Sequence, residues 1–496
     1  MQGHMPTISH YEAEIALPKS KRKETIRAWM DKNARDRTYW LERNKYYYEE
    51  HYRYLRFLIP ENLRVLDIGC GLGDQLAALK PSLGIGIDIS PVIIDIARNR
   101  HSDFNFVVGD IEESKTIAGI DGPFDVIVIS DAIGYFHDCE AAFRQLHRLV
   151  TPDTRIVIAY FSQYWEPLLR TAEMFGLKMR QPQLNWLSTD DIANLLYLAD
   201  FEIIKRDWRQ LIPKKLFGLG TLINRFVATL PFIRRLALRN YLVARPNPTS
   251  NSETSLKPSV TVVIPCRNEK GNIETAVKRM PRFAEDMEIL YVEGHSSDGT
   301  FKECERVRDS YPDLWNIRVA RQDGKGKGDA VRKGFDMARG DVLMILDADL
   351  TMPPEDLPKF YDALIAGKGE FINGSRLVYP MESDAMRFLN WLANRIFSGL
   401  FSWLLHQRFS DTLCGTKVIR KRHYQSIAAN RAYFGNFDPF GDFDLIFGAS
   451  KLNLKVAEVP IRYASRTYGE TQISRFSHGL LLLRMVIFAY FRLKAF

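Results

Sequence analysis

Cysteine is scarce in this chain. Its 496 residues hold five, Cys70, Cys139, Cys266, Cys304 and Cys414, scattered, odd in number and without metal-ligand spacing. That excludes a disulfide framework or a zinc site as the organising principle and makes a reducing, cytoplasmic compartment the expectation. Long apolar runs are missing too. The C-terminal stretch GLLLLRMVIFAYFRLKAF has about a dozen apolar residues around Arg484, short of the ~20 that span a bilayer. Residues 386–409, MRFLNWLANRIFSGLFSWLLHQRF, are interrupted by Arg387, Asn390, Asn394 and Arg395. The N-terminus shows no charged-then-apolar signal pattern, and Gln2 to Met5, QGHM, is the kind of sequence a cloning remnant leaves.

What the chain does have is length, apolar content and positive charge. Its length implies two or three domains, and 46% hydrophobic residues is the content of a globular protein. A net charge of +8 favours anionic partners such as nucleotides, phospholipid surfaces or nucleic acid. No compact Lys/Arg and aromatic patch stands out in the first half, so nucleic acid is set aside. Between Arg245 and Pro258 the sequence RPNPTSNSETSLKP reads as a flexible connection. On each side, short β-branched runs alternate with longer amphipathic segments, which predicts two α/β domains with parallel sheets flanked by helices. The expected division is a helical arm over 1–50 whose Tyr46, Tyr47 and Tyr48 are packing residues, a first domain over 51–212, an amphipathic segment and linker over 213–258, and a second domain over 259–496.

In the first domain, VLDIGCGLGDQL (65–76) places a strand ending at Asp67 before Gly69, Gly71 and Gly73. Such glycines let the backbone approach a ligand and open a helix whose N-terminus faces it. Asp74 holds the third glycine position of the dinucleotide pattern GxGxxG, which argues against NAD. Further strands deliver Asp88, placed for two ribose hydroxyls, Asp110, placed for an adenine amino group, and Asp131. Acids at one edge of a sheet agree with ligand binding at strand C-termini. His137 lies near that edge as a packing or lid residue. This order of motifs resembles the class I S-adenosylmethionine-dependent methyltransferases over roughly residues 50–210. The resemblance implies a Rossmann-like fold and cofactor contacts from Asp67, Gly69, Gly71, Asp88, Asp110 and Ile111.

In the second domain, SVTVVIPCRNEKGNI carries Pro265, Arg267 and Glu269 just after a strand, EILYVEGHSSDGT carries Glu293 and Asp298, and RQDGKGKGDAV offers a glycine-lysine loop with Lys325 and Lys327 as a phosphate cradle. It lacks the Gly-Lys-Ser/Thr ending of a Walker A loop. DVLMILDADLTMPP then runs an apolar strand into Asp347 and Asp349. Residues two apart on a strand point the same way, so a strand that persists to its end makes both carboxylates converge as hard oxygen ligands for Mg2+ or Mn2+. Together these pieces resemble glycosyltransferase family 2 with a GT-A fold, in its dolichyl-phosphate mannose or glucose synthase-like branch, from about residue 259 to the C-terminus. The resemblance implies that Pro265, Glu269 and Glu293 line a nucleoside pocket and that Asp347 and Asp349 hold metal and diphosphate. Two departures bear on nucleotide preference and metal coordination: the usual paired aspartates are Glu293-Gly294, and the glutamine after DAD is Thr351.

Ser375, Arg376, Asp411, Cys414, Gly415, Lys417, Tyr468, Gly469 and Arg475 are assigned to the acceptor side. Arg466 is the candidate for stabilising the leaving diphosphate, and Asp442 or Asp444 is either a base or a helix cap. Helices near 386–409 and 477–496, with Trp391 and Trp403 as anchors, and the basic piece from Lys214 to Arg239 suit the membrane interface or the domain core. The expectation is an enzyme peripheral to the cytoplasmic face of the inner membrane. It moves a hexose from a GDP- or UDP-sugar to polyprenyl phosphate, or to a hydroxyl of a lipid-linked glycan. The first domain either methylates a sugar or related glycan or is a silent scaffold, and self-association stays open.

Overall fold

The computed structural model describes residues 21–182, 184–248, 257–376, 378, 388–433, 441, 443–464, 466, 468 and 475–496. Gln2 to Met5, Arg387, Asp442, Gly469 and the side chains of Asn390, Trp391, Asn394 and Arg475 lie outside them.

Two seven-stranded sheets form. The first contains β1 (Arg64–Ile68), β2 (Leu83–Asp88), β3 (Asn105–Val108), β4 (Val126–Ser130), β5 (Arg155–Phe161), β6 (Phe201–Arg209) and β7 (Arg239–Pro246), in the order β3-β2-β1-β4-β5-β7-β6. β1 to β5 are parallel, and β7 runs antiparallel between β5 and β6. Apolar side chains pack on both faces of this sheet, as expected for strands such as VIVIS and RIVIAYF whose apolar run is nearly continuous. Crossover helices begin where local chemistry allows: Ser90 accepts from the Ile93 N–H, and Pro91 opens the helix Pro91–Arg100.

β7 lies inside the 213–258 stretch that the sequence suggested was amphipathic segment and linker. All eight of its residues are buried. The charged Arg239 and polar Asn240 at its start disguise it as surface.

The second sheet contains β8 (Val260–Cys266), β9 (Met287–Glu293), β10 (Asn316–Arg321), β11 (Val342–Ile345), β12 (Phe371–Ser375), β13 (Lys417–Arg420) and β14 (Val456–Pro460), in the order β10-β9-β8-β11-β13-β12-β14. Only β13 runs against its neighbours. Parallel register puts Cys266, Glu293 and Arg321 side by side at one edge.

No helix among the described residues is long and apolar enough to cross a membrane. The helices Phe388–Leu405 and Arg475–Leu493 pack on each other and send Phe401, Leu404, Leu405, Leu482, Met485, Val486 and Ala489 into the second domain's core. Trp403, assigned as an interfacial anchor, instead donates its indole N–H to the Thr229 carbonyl at 3.0 Å and stacks on Tyr490 at 5.7 Å. An amphipathic helix can turn its wider apolar stripe to core or to lipid, and the sequence pattern is the same for both.

The arm consists of helices Lys21–Asn33, Asp36–Arg43 and Lys45–Leu58. The last runs beyond residue 50 and packs Tyr54 and Phe57 against Phe496. Side chains from both sheets meet at strand N-terminal ends. Arg155 donates to Glu370 at 2.6 Å and to the Asn453 carbonyl at 2.9 Å, while Arg245 reaches the other Glu370 oxygen at 3.4 Å.

Candidate active sites

In the first domain β1 hands over to a loop in which Gly69, Gly71 and Gly73 all have positive φ (73°, 54° and 83°), a conformation that favours glycine. A Cβ at Gly69 would meet the Ala132 Cβ at 2.4 Å, and one at Gly71 would meet the Arg37 guanidinium at 3.2 Å. Asp88 closes β2 and accepts from the Gly71 and Ser90 N–H groups at 3.2 and 3.1 Å. A cavity of about 420 Å³ lies between Asp67, Gly69, Gly71 and Asp88 on one wall and Trp40, Tyr47, Tyr48 and Tyr52 of the arm on the other. A smaller one, about 60 Å³, continues over Asp110 and Ile111. Tyr47 and Tyr48 therefore line the cavity as well as pack.

Asp67 is fully buried. One oxygen accepts from the Gln75 amide at 2.8 Å, and the other has no hydrogen-bond partner. Burial pushes its pKa up to about 7, against the Gln75 hydrogen bond and with help from Asp88. An orphaned buried carboxylate oxygen above a glycine loop suits a ligand with an ammonium group, and the methionine part of S-adenosylmethionine has one. The residues fit that cofactor.

A buried polar chain runs on from Asp67. The Gln75 carbonyl oxygen meets His51 Nε2 at 3.0 Å, so Nε2 is the protonated nitrogen. His51 Nδ1 accepts from the Tyr241 hydroxyl at 2.8 Å, and burial beside Arg239 holds the imidazole neutral, its pKa well below the ordinary value. Arg239, wholly buried, pairs with Asp131 and lies 4.6 Å above the Tyr47 ring. Asp131 thus borders the cavity with one oxygen committed to Arg239. Asp110, expected to face an adenine amino group, is paired with Lys23 of the arm at 2.6 Å, and Lys23 also pairs with Glu112. His137 is exposed and gives its backbone N–H to Glu112. Lys23, Arg37, His51, Gln75 and Arg239 were missed in the sequence because nothing in their spacing marks them. The arm brings in Lys23, Arg37 and His51 and β7 brings in Arg239 from distant segments, while Gln75 comes from the helix Asp74–Leu79 directly after the glycine loop.

In the second domain β11 ends at Ile345, and residues 346–350 form a turn with Leu350 at φ 52°. The two carboxylates therefore do not converge by strand alternation, as the sequence suggested. Asp347 pairs with Lys327 at 2.6 Å. Burial raises its pKa, but Lys327, Lys417 and Arg376 outweigh this and hold it below the usual range. Asp349 accepts from the Thr351 N–H and hydroxyl at 3.1 and 2.8 Å and from Arg466 at 2.6 Å. Arg466 also reaches Glu269 at 3.2 Å. Two charged groups thus sit on the turn after β11, Asp347 with Lys327 and Asp349 with Arg466 and Glu269. Gly415 closes over the first, since a Cβ there would fall 1.8 Å from Asp347 Oδ2. The Asp347 carboxylate under this bare glycine, with the Asp349 carboxylate two residues on, supplies hard oxygen ligands that fit a Mg2+ or Mn2+ ion.

Other expected residues are engaged elsewhere. Asp298 joins two helix N-termini, accepting from the Thr300 N–H at 3.0 Å and the Lys270 N–H at 3.2 Å, a double cap rather than a free ligand group. Glu293, buried at the end of β9, is held by the Ser296 N–H and by Arg321 at 3.3 Å. Pro265 is half-buried, and Arg267 and Lys325 are exposed. Arg376 and Asp411 form a bidentate pair at 2.6 and 2.9 Å. Asp444 lies between Arg431 at 3.1 Å and Arg332 at 3.3 Å, in an ion-pair cluster and not at a helix cap. Among the described residues, the one group of three His, Cys, Asp or Glu side chains within ligand distance is Asp153, Glu370 and His423. It lies among Arg155, Arg245 and Arg422, whose charges oppose a cation.

The family model described as "Glycosyl transferase family 2" matches residues 261–427, and that described as "Methyltransferase domain" matches residues 39–206. The chain is 30% identical over 219 residues to a dolichol-phosphate mannosyltransferase of Pyrococcus furiosus, covering 43% of this chain and 59% of that protein. It is 25% identical over 241 residues to a low-salt glycan biosynthesis hexosyltransferase of Haloferax volcanii, covering 48% of this chain and 55% of that one. The chain thus spans less than two thirds of the length of either relative. Among solved structures, a SAM-dependent methyltransferase from Thermotoga maritima overlays 44% of this chain and 99% of its own at 16% identity and a TM-score of 0.35, a likeness too weak to argue from. Residues 39–206 thus match a methyltransferase-domain family and carry a Rossmann-like sheet, and residues 261–427 match glycosyltransferase family 2 and carry a GT-A-like sheet.

Proposed function

We propose that the second domain transfers a hexose from a GDP- or UDP-sugar to polyprenyl phosphate at the cytoplasmic face of a membrane, and that the first domain, running to Pro246, methylates a sugar or related glycan with S-adenosylmethionine. The observation that carries the first half is the pairing in which Arg466 bridges Asp349 and Glu269 while Lys327 holds Asp347. Asp347 and Asp349 would hold Mg2+ or Mn2+, which when bound stabilises charge on a departing diphosphate. Lys327 and Arg466, paired with those carboxylates, would be the side chains placed to bind the phosphates. The acceptor phosphate is already ionised and attacks the anomeric carbon. The bond to the diphosphate breaks on the opposite side, the electron pair leaves with the diphosphate, and the configuration inverts. No general base is needed, in keeping with the pairing of Asp444 to two arginines. In the first domain Asp67, Asp88 and the glycine loop would hold the cofactor, and Asp110, paired here with Lys23, would accept from the adenine amino group.

The test is transfer of labelled sugar from a panel of UDP and GDP donors, with Mg2+ or Mn2+ and polyprenyl phosphate, into an organic-extractable product. Wild type is expected to label the organic phase, and Asp349→Ala is not. Donor hydrolysis without extractable label would overturn the phosphate acceptor in favour of a glycan hydroxyl.

A further inference from the structure

The cavity of the first domain has an unusual mouth. Its lining includes Leu168 and Leu177 from the segment after β5, and Pro213 and Lys214 from the segment between β6 and β7. Leu168 and Leu177 are more than half exposed, and Phe175 beside them is 75% exposed. Immediately after Lys214, Leu216 and Phe217 both take left-handed backbone conformations, φ 48° and 54°, which are costly for bulky residues. The outcome of that strain is a Phe217 side chain fully in solvent, with Leu222 and Phe232 exposed further along the same segment. The two halves of the rim are tied together, since the Trp165 indole N–H donates to the Leu236 carbonyl at 2.8 Å.

This apolar rim continues into the second domain. Phe226 meets Phe491 edge-on at 6.4 Å, and the Thr229 and Tyr490 hydroxyls are 3.1 Å apart. Phe491 belongs to the stripe Leu480, Leu483, Ile487 and Phe491, which the helix Arg475–Leu493 leaves exposed opposite its buried face. Contiguous apolar surface of this kind marks a docking face. Its charge selects the partner. Between Asp207 and Glu253 the chain has no acidic residue, while Lys214, Lys215 and Arg235 are exposed among the apolar side chains. Apolar side chains ringed by unpaired positive sequence charge complement an anionic bilayer.

We infer that this face docks on an anionic bilayer with the methyltransferase cavity opening onto it, so that the methyl acceptor is a molecule carried in the membrane. The inference rests on the methyltransferase and membrane readings above and adds the entrance and the substrate class. An acceptor diffusing in water gains nothing from an apolar mouth. One whose lipid tail stays in the bilayer reaches the cavity without leaving it.

All five native cysteines are buried, so single introduced cysteines can carry an environment-sensitive fluorophore in the full chain. Phe175→Cys and Phe217→Cys report on the mouth, Ile487→Cys on the C-terminal helix, and Lys302→Cys on the second domain's helix Thr300–Ser310. With phosphatidylglycerol–phosphatidylethanolamine vesicles, labels at 175, 217 and 487 are expected to shift to the blue and to be quenched by nitroxide lipids, and the label at 302 is not. A response at 487 alone would overturn the inference while leaving the glycosyltransferase on the membrane. No response at any position would overturn the membrane reading as well. In parallel, labelled methyl from S-adenosylmethionine, given a membrane lipid extract, should enter the organic phase with wild type and fall at least tenfold with Phe175→Asp/Phe217→Asp, cofactor binding being unchanged. Label appearing only in water-soluble product would also overturn it.

Discussion

Asp67 concentrates the physics of the first site in one carboxyl group. Burial lifts its pKa from 3.8 to about 7, so the folded domain holds the proton more tightly than the unfolded chain does. The stability of the ligand-free protein therefore falls as pH rises from the ordinary carboxylate range through about 7, by up to about 4 kcal/mol in total. Asp67→Asn removes that titration. The variant should gain on wild type between about pH 5 and pH 8 in thermal unfolding, and should bind S-adenosylmethionine more weakly. Parallel unfolding profiles would reject the assignment of the shift to Asp67. In the second site Arg466 is the side chain that binds both Asp349 and Glu269. Arg466→Ala should lower kcat of glycosyl transfer by about 10²-fold, the scale for losing one charge-stabilising donor, with donor binding measured by calorimetry changed far less. Equal losses in both would make Arg466 a binding residue only.

At the scale of elements, the helix Arg475–Leu493 serves two surroundings. Met485 is 1% exposed against Phe401 and its neighbours, and Leu480 is 54% exposed. Met485→Ala should cost about 2–5 kcal/mol in denaturant unfolding through the cavity it leaves. Leu480→Ser should stay within about 0.5 kcal/mol. A large cost for Leu480→Ser in the isolated protein would mean that this face is covered by protein rather than free to dock. β7 shows the limits of pattern reading at this scale. Its apolar core YLVA looks like a strand, but the arginines at either end, Arg239 and Arg245, make it look like surface. Only the partners Asp131, Glu202 and Glu370 explain why they are buried.

The whole molecule is held by ion pairs at the contact between its domains. Arg155 and Arg245, both from the first sheet, share Glu370 of the second domain, and all three are buried. Removing one partner of a buried group of charges leaves the others uncompensated. Glu370→Ala should therefore cost about 3–5 kcal/mol and split calorimetric unfolding into two transitions, one for each domain. A single transition at an unchanged midpoint would show that the remaining contacts, the apolar packing of Phe57 on Phe496 among them, hold the domains without Glu370. Because Glu370 precedes β12 and Arg155 opens β5, this contact is at strand N-terminal ends. The edges carrying Asp67 and Asp347 are left free for ligands, while the segment between β6 and β7 and the C-terminal helix share one exposed face.

The sequence by itself determined the two α/β domains, the order of their strands' chemistry and the glycine loop after Asp67. Those features depend on neighbours in the chain: apolar alternation, a glycine where φ must be positive, an acid where a strand stops. It also brought Asp347, Asp349, Glu269 and Arg466 under one reading through resemblance, and in the fold Arg466 bridges Asp349 and Glu269 while Asp347 is paired with Lys327. Tertiary structure alone decided that Asp298 caps helices, that Lys23 occupies Asp110, that Arg239 is a buried partner of Asp131 and that Trp403 faces protein. Each of these depends on which distant segment supplies the opposing charge, donor or surface. A residue's own neighbourhood in sequence carries no record of that, because burial and pairing are properties of the packed molecule.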